Sequence, residues 1–182
     1  MIRYADDLVV CCRTEAEAQA ALKEIGRWVQ AAGLTLHPTK TRIVNAAERG
    51  GFDFLGYHFE QYHGSGGTKW PRQKSQAKLR ETLRGKLPRN RSGSIRQIVA
   101  EINPSLRGWH GYFKMIIPRF DAPFKSFDEF VRRRLRSAIT GRTGSGWWNQ
   151  KITNRMWRDL GLNCLSERHQ QYQLDQAALT AR

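Results

Sequence analysis

The segment on which the architecture depends reads Ile2-Arg3-Tyr4-Ala5-Asp6-Asp7-Leu8-Val9-Val10-Cys11-Cys12. Its two adjacent acids, Asp6 and Asp7, lie between short apolar and β-branched runs, a pattern typical of a tight β-hairpin. Adjacent carboxylates are costly to desolvate unless a cation lies beside them, and oxygen ligands at a strand tip suit Mg²⁺. The segment therefore predicts a metal-binding hairpin of the kind used in two-metal nucleotidyl transfer. A solvated turn, which aspartate also favours, is the alternative.

The charge of the chain is unevenly distributed over its 182 residues. Residues 1–70 carry 8 Lys and Arg against 8 Asp and Glu, whereas residues 71–182 carry 23 against 8, so the net charge of +15 lies entirely in the second part. A basic block interleaved with Trp, Tyr and Phe favours a polyanion, because each neutralised phosphate releases counterions. A polybasic membrane surface is the competing interpretation, but it requires an amphipathic helix with an apolar face toward lipid.

Membrane and secretory segments are not expected. No apolar run approaches the length that crosses a bilayer, and the N-terminus has acids where a signal peptide needs a hydrophobic stretch. Cys11, Cys12 and Cys164 have no zinc-type spacing and are interpreted as core residues in a reducing compartment. We therefore expect a cytoplasmic protein without a membrane partner.

The first seventy residues read as mixed helix and strand. A capping box at Thr14 and Glu17 predicts a helix to about Ala32, with Trp28 and Val29 on its buried face. Residues 34–36 and 40–44 are expected to be extended, and residues 52–59 to form a strand pair or a kinked strand at a glycine. A turn-rich stretch then runs through Pro71 and marks the domain boundary.

The remainder reads as helical. Residues 75–87 predict one helix, and Ser94 with Gln97 predicts a capping box that opens another. A new helix is expected to begin at Pro104, because proline is favoured at the first helical position. A further capping box at Ser126 and Glu129 predicts the next helix, a last helix follows around residues 152–160, and the polar tail beyond Leu165 is expected to fray.

Four blocks of the chain resemble the group II intron reverse transcriptase/maturase family, in that family's order. Tyr4-Ala5-Asp6-Asp7 resembles the active-site box of reverse transcriptases. Gly33-Leu34-Thr35-Leu36 followed by Pro38-Thr39-Lys40-Thr41 is similar to the next block, and the residues around Gly56 resemble the block that ends the palm. Ile102 to Phe113, with its Arg107-Gly108-Trp109 element, is similar to the maturase-specific, or X, domain.

The resemblance implies an α+β fold: a partial antiparallel palm sheet with one packed helix over residues 1–70, followed by an all-α basic thumb/maturase domain over residues 71–182. It implies that Asp6 and Asp7 are two of three catalytic carboxylates that bind Mg²⁺. Tyr4 and Lys40 are implied to contact nucleic acid, although without the family Lys40 reads as an exposed lysine on an edge strand. The family places a further aspartate and the fingers upstream of this box, so we expect a truncated copy or a fragment.

Five arginines are candidates for nucleic-acid contact. Arg107 can reach a phosphate bidentately. Four more arginines crowd one helix and repel one another, a cluster expected to meet an anion rather than only solvent: Arg132, Arg133, Arg134 and Arg136. Trp109 and Phe113 are interpreted as thumb core, with base stacking as the alternative.

The expected function is part of an RNA-directed DNA polymerase with a maturase role in intron splicing, binding intron RNA and template-primer. Since one metal ligand and the fingers are expected elsewhere, the chain alone should have little or no polymerase activity. The alternatives are a stand-alone RNA-binding maturase module and a catalytically inactive remnant.

Overall fold

The computed structural model describes residues 1–61, 67–89, 91–116, 121–140 and 152–180. These residues form six helices and two small sheets, and the predicted α+β class is confirmed. The chain divides into two compact units, Met1–Lys69 and Trp70–Arg182. The naming of these units as palm and thumb stays a prediction. Residues 62–66 of the turn-rich stretch predicted at the boundary lie outside the described residues.

The first unit begins with a hairpin of two short strands, β1 (Ile2–Tyr4) and β2 (Asp7–Val9). The strands are antiparallel, with Ile2 opposite Val9 and Tyr4 opposite Asp7. The predicted hairpin is therefore present. All of its residues except Val9 are exposed, because within this unit no third strand pairs with it.

Helix α1 (Glu15–Ala31) follows the predicted cap. The Thr14 side chain accepts a hydrogen bond from the Glu17 backbone N–H, and the Glu17 carboxylate accepts from the Arg13 N–H at 2.9 Å. The helix ends before Gly33, whose φ of +72° suits glycine. The prediction that Trp28 is buried is wrong: Trp28 is 63% exposed, and Val29 is the buried residue of the helix. Consecutive helical residues point about 100° apart, so burial of one does not require burial of the next.

Residues 34–44 correct a second prediction. Neither 34–36 nor 40–44 is a strand; residues 38–40 form a turn, and the Thr41 N–H donates to the His37 carbonyl at 3.0 Å. Pro38 has no N–H to give to a ladder, and no described strand offers these segments a partner. An extended sequence pattern does not form a β-strand unless another strand is available to pair with it.

The second sheet has the order β3 (Phe52–Phe54), β4 (Tyr57–Gln61) and β5 (Gly67–Pro71). β3 and β4 form the predicted strand pair, joined by Leu55 and Gly56, which both have positive φ. The Phe52 and Phe59 rings stack with centroids 5.3 Å apart. A Cβ atom at Gly51 would lie 2.0 Å from the Phe59 carbonyl oxygen, so only glycine fits there.

The second unit is helical: α2 (Gln73–Lys86), α3 (Ile95–Phe113), α4 (Ala122–Thr140), α5 (Asn154–Asp159) and α6 (Leu165–Thr180). Its core is apolar, and α2 packs on α3 and α4 while α6 packs on α3 and α4. The largest fully buried side chains include Leu83, Leu106, Phe124, Phe127, Leu135 and Trp157. No described helix has the length and apolar character needed to span a bilayer.

Helix α3 is continuous, so the prediction of a new helix at Pro104 is wrong. The capping box of Ser94 and Gln97 opens the helix as predicted, but the helix then runs through Pro104 to Phe113. The apolar stripe that contains Ile102 and Leu106 is almost fully buried on both sides of the proline. Burying these side chains is worth several kcal/mol, which outweighs the roughly 3 kcal/mol cost of an internal proline.

Two predictions at the ends of helices are also wrong. Ser126 is not a cap, because α4 begins one turn earlier at Ala122, with the Asp121 carbonyl accepting from the Phe124 N–H at 2.9 Å. Phe124, in this first turn, is fully buried. The tail is not frayed but forms α6, since Leu165 and His169 are buried and fix its first turns.

Candidate active site and nucleic-acid interface

The two aspartates lie at the tip of the first hairpin. Ala5 and Asp6 form the two-residue turn and Asp7 is the first residue of β2, opposite Tyr4. Ala5 has a φ of +52°, and the Arg3 Nε donates to the Ala5 carbonyl at 2.8 Å, which holds this turn. Both carboxylates are exposed, so the hairpin presents them to solvent rather than using them in packing.

The donor set at this tip is incomplete for a three-carboxylate metal site. Exposed carboxylate oxygens match the ligand preference of Mg²⁺. Among the described residues, however, no group of three or more His, Cys, Asp or Glu side chains lies close enough to hold a metal ion. The role of Asp6 and Asp7 as metal ligands stays a prediction, and within the described part of the chain they form a pair of carboxylates without a third.

Lys40 and Tyr4, the other candidates in this unit, are both exposed. Lys40 ends the turn of residues 38–40, so the alternative interpretation, which placed it on an edge strand, is wrong. Tyr4 is 67% exposed. Whether either side chain contacts nucleic acid stays a prediction.

The four clustered arginines of α4 occupy different surroundings. The Arg134 guanidinium donates to the Leu87 carbonyl, and Arg136 Nη2 donates to the Ile152 carbonyl at 3.0 Å. Burial, with Arg132 nearby, lowers the pKa of Arg136. Arg132 is half-buried and only Arg133 is exposed. The cluster is therefore divided: Arg134 and Arg136 join parts of the helical unit, and Arg133 remains available to a ligand.

Of the candidate residues on α3, Arg107 faces solvent, whereas Trp109 and Phe113 pack inside the helical unit. Arg107 is exposed, with no hydrogen bond or ion pair to the described residues. Trp109 packs against Phe113, Phe124 and Phe127 with ring centroids 4.7 to 5.6 Å apart. This packing agrees with the interpretation of Trp109 as core, and Phe113 is buried as well.

A buried histidine pair joins α3 to α6. His110 is only 5% exposed, and its ring centroid lies 6.1 Å from that of His169. Burial lowers the pKa of His110 to about 4, and the cations Arg168 and Lys114 act in the same direction. Burial also lowers the pKa of His169, against a smaller opposing effect of Asp121. Both rings are therefore neutral at physiological pH.

A buried carboxylate caps α6, a role that sequence reasoning missed. Asp128 Oδ1 accepts from the Leu165 N–H at 2.7 Å, and Oδ2 accepts from the Ser166 N–H at 3.0 Å and its hydroxyl at 2.5 Å. Burial raises the pKa of Asp128, while these hydrogen bonds oppose that rise. Burial and the nearby Asp128 raise the pKa of Cys164 to about 11, so this thiol is protonated. No local signal identifies a cap whose partner is 37 residues away.

Two families match the chain, one in each unit. Residues 1–59 match the family described as reverse transcriptase (RNA-dependent DNA polymerase). Residues 73–157 match the family described as group II intron, maturase-specific domain. The chain belongs to the group II intron-encoded reverse transcriptase/maturase family. The resemblance inferred from the four sequence blocks is thus confirmed.

The two matched ranges contain most of the candidate residues and leave the last helix uncovered. The reverse transcriptase match contains Asp6, Asp7 and Lys40, and the maturase-specific match contains Arg107 and the α4 arginines. Helix α6 lies beyond the maturase-specific match. Comparison with curated proteins gives no match. Reverse transcriptases generally use Mg²⁺, which agrees with the oxygen ligands at the hairpin tip.

Proposed function

We propose that this reverse transcriptase/maturase binds intron RNA and template-primer through its helical unit. One observation carries the proposal: residues 71–182 hold 23 basic against 8 acidic residues, whereas residues 1–70 are neutral. The unit that matches the maturase-specific domain is therefore the polycationic one. A surface of that charge binds phosphate backbones by counterion release.

The exposed arginines are the side chains suited to this contact. Arg107 on α3 and Arg133 on α4 project their guanidinium groups to solvent, and arginine binds phosphate oxygens in a bidentate manner. Arg134 and Arg136 donate to backbone carbonyls within the helical unit, so we assign them a structural role. In the neutral unit, Lys40 and Tyr4 remain candidates for contact with the primer or template.

Asp6 and Asp7 are proposed as two metal ligands of the polymerase site. A divalent cation there would supply the charge neutralisation that nucleotidyl transfer requires. The pairing of Tyr4 with Asp7 places both aspartates at the tip of the hairpin. Because the described residues provide no third carboxylate near them, we expect polymerase activity to require a segment beyond the described residues that supplies the third ligand and the nucleotide-binding fingers.

RNA titration of the full chain tests the binding role. Fluorescence anisotropy with a labelled intron RNA should show salt-dependent binding that is unchanged in the double variant Asp6→Asn, Asp7→Asn. Reversal of one exposed charge in Arg133→Glu should weaken binding about tenfold at low salt. Arg134→Glu is not a suitable probe, because it would also break the bond to the Leu87 carbonyl. RNA binding that is absent in the unaltered chain would refute the proposal.

A stand-alone RNA-binding maturase module is the second candidate, and the incomplete carboxylate set favours it. The two candidates differ in one assay. Addition of a separately produced fingers segment should restore primer extension if the hairpin is part of a working polymerase site, and Asp6→Asn should abolish that synthesis. If RNA binding is retained while no such addition restores synthesis, the chain acts as a binding module.

A further inference from the structure

Two arginines on α2 lie on phenylalanine rings of α4. Arg80 Cζ lies 4.7 Å from the centroid of the Phe127 ring, and Arg84 Cζ lies 5.6 Å from that of Phe130. Arg80 Nη2 also donates to the Ser126 hydroxyl at 3.1 Å. Both rings are buried, so they form a fixed floor beneath the guanidinium groups. This arrangement was not predicted, because it joins residues 46 or 47 positions apart.

The contacts continue in register along both helices. Arg80 and Arg84 of α2, and Leu87 directly after it, contact successive turns of α4 in the order Phe127, Phe130 and Arg134. The two helices therefore run in the same direction. The Cα atoms of Arg80 and Arg84 are separated by about 6 Å along α2, given a rise of about 1.5 Å per residue.

A third cation lies on the solvent side of the same contact. Arg133 is exposed and follows Phe130 by three residues. Ser126, which contacts Arg80, precedes Arg133 by two helical turns, so the two lie on the same side of α4. We define the α2–α4 seam as Arg80 and Arg84 above the two phenylalanine rings, together with the exposed Arg133 on α4. No described carboxylate forms an ion pair with any of the three.

The rings leave the donors of the Arg84 guanidinium available, and those of Arg80 other than the Nη2 hydrogen that is donated to Ser126. An arginine whose plane rests on an aromatic face is held in position by cation–π attraction while its N–H edge stays free. Such a side chain loses less conformational entropy when it binds an anion. By contrast, the Lys86 ammonium donates to the Glu101 carbonyl and to the Ser105 hydroxyl at 2.8 Å, so its charge serves the fold.

We propose that the α2–α4 seam binds successive phosphates of a nucleic-acid strand, with Arg80 and Arg84 as its fixed phosphate ligands. The inference rests on the proposed RNA binding by the helical unit and assigns that binding to a defined surface. The ligand chemistry is the phosphodiester backbone, which RNA and DNA share. Arg133 would contact the same strand from α4.

The salt dependence of binding tests the seam in the full chain. The variant R80Q/R84Q is compared with R96Q/R155Q, whose arginines are exposed on α3 and α5 and have no described partner. Both variants lower the net charge equally, from +15 to +13. Anisotropy titrations use a labelled RNA oligonucleotide and a DNA strand of the same sequence over a range of salt concentrations.

The seam variant should lower the slope of log affinity against log salt by about 1.4, or roughly 0.7 for each lost phosphate contact on a single strand. At about 0.1 M salt this corresponds to a loss of affinity on the order of 25-fold. The control variant should keep the slope of the unaltered chain. RNA and DNA should lose affinity equally, because the contact is to phosphate.

Other outcomes overturn the inference in distinguishable ways. Equal losses in both variants would mean that diffuse charge, not the seam, binds the strand. A loss confined to RNA or to DNA would mean contact with the sugar or base. No binding by the unaltered chain would refute the proposed function itself. Should R80Q/R84Q lack the normal helical circular dichroism, the exposed single variant Arg84→Gln provides the test, with an expected slope change of about 0.7.

Discussion

Removal of the Asp128 carboxylate should destabilise the helical unit more than any surface change. This side chain accepts three hydrogen bonds at the start of α6, two from backbone N–H groups and one from the Ser166 hydroxyl. Loss of a helix cap costs about 1 kcal/mol, and each buried donor left without an acceptor costs about 1–3 kcal/mol. Only the Leu165 N–H is fully buried, whereas both Ser166 donors are partly accessible to water. For Asp128→Ala we therefore expect the free energy of unfolding to fall by about 2–4 kcal/mol, the sum of the lost cap and one buried donor without an acceptor.

Asp128→Asn should have an intermediate effect. The amide keeps one acceptor oxygen but loses the negative charge that favours the helix N-terminus, a loss of about 0.5–1 kcal/mol beyond the missing hydrogen bond. The adjacent Glu129 provides a matched control, since it is an exposed acid of the same helix. Glu129→Ala should change the free energy of unfolding by less than about 0.5 kcal/mol.

Urea denaturation of the full chain near neutral pH, followed by far-ultraviolet circular dichroism, measures these differences. Hydrogen exchange of α6 amides gives a local readout, because the cap fixes the first turn of that helix. If Asp128→Ala and Glu129→Ala shift the urea midpoint equally, the carboxylate does not hold α6 and the reasoning fails.

Three further predictions follow from the core and the hairpin. Leu83→Ala should lower the free energy of unfolding by about 3 kcal/mol because Leu83 is fully buried, whereas Leu174→Ala, at 59% exposure, should change it by less than about 0.5 kcal/mol in the same denaturation assay. Burial lowers the folded-state pKa of His110 to about 4 from 6.5, so the free energy of unfolding should fall by up to about 3 kcal/mol as the pH drops through that interval. In His110→Gln, the urea midpoint should lose much of this pH dependence. An unchanged pH dependence in that variant would contradict the prediction. Primer extension with Mg²⁺ and an RNA template should be weak or absent for the chain alone, so robust synthesis that is lost in Asp6→Ala would contradict the proposed need for an additional segment.

Local features of the fold were predictable from local sequence. The caps at Thr14 and Ser94 depend on a side chain and a backbone group three residues apart, and both form. The hairpin at Asp6 is likewise a short-range structure. Such elements follow from a few neighbouring residues, so the sequence identifies them without knowledge of the tertiary packing.

Long-range packing explains the errors. Pro104 lies within a helix because Ile102 and Leu106 are buried on either side of it, and no pattern near the proline reveals that burial. The arginine cluster was interpreted as a single anion-binding surface, but Arg134 and Arg136 find carbonyl acceptors at Leu87 and Ile152. Partners distant in sequence determine which cations remain free.

The candidate polymerase site was predictable only in part. Asp6 and Asp7 were singled out by their type and spacing, and the reverse transcriptase match contains them, while their role in catalysis stays a prediction. The segment that begins at Lys40 was expected to be extended, but an extended pattern does not specify a pairing partner, and no described strand pairs with it. Arg80 and Arg84 were not singled out, because the rings that hold them belong to a different helix.

Hydrogen exchange of the full chain, measured by mass spectrometry with and without intron RNA, tests the central claim most directly. If the polycationic helical unit is the RNA-binding part, amides of Trp70–Arg182 should become protected, with the largest change in peptides of α2 and α4. Protection confined to Met1–Lys69, with none in the helical unit at saturating RNA, would contradict the account.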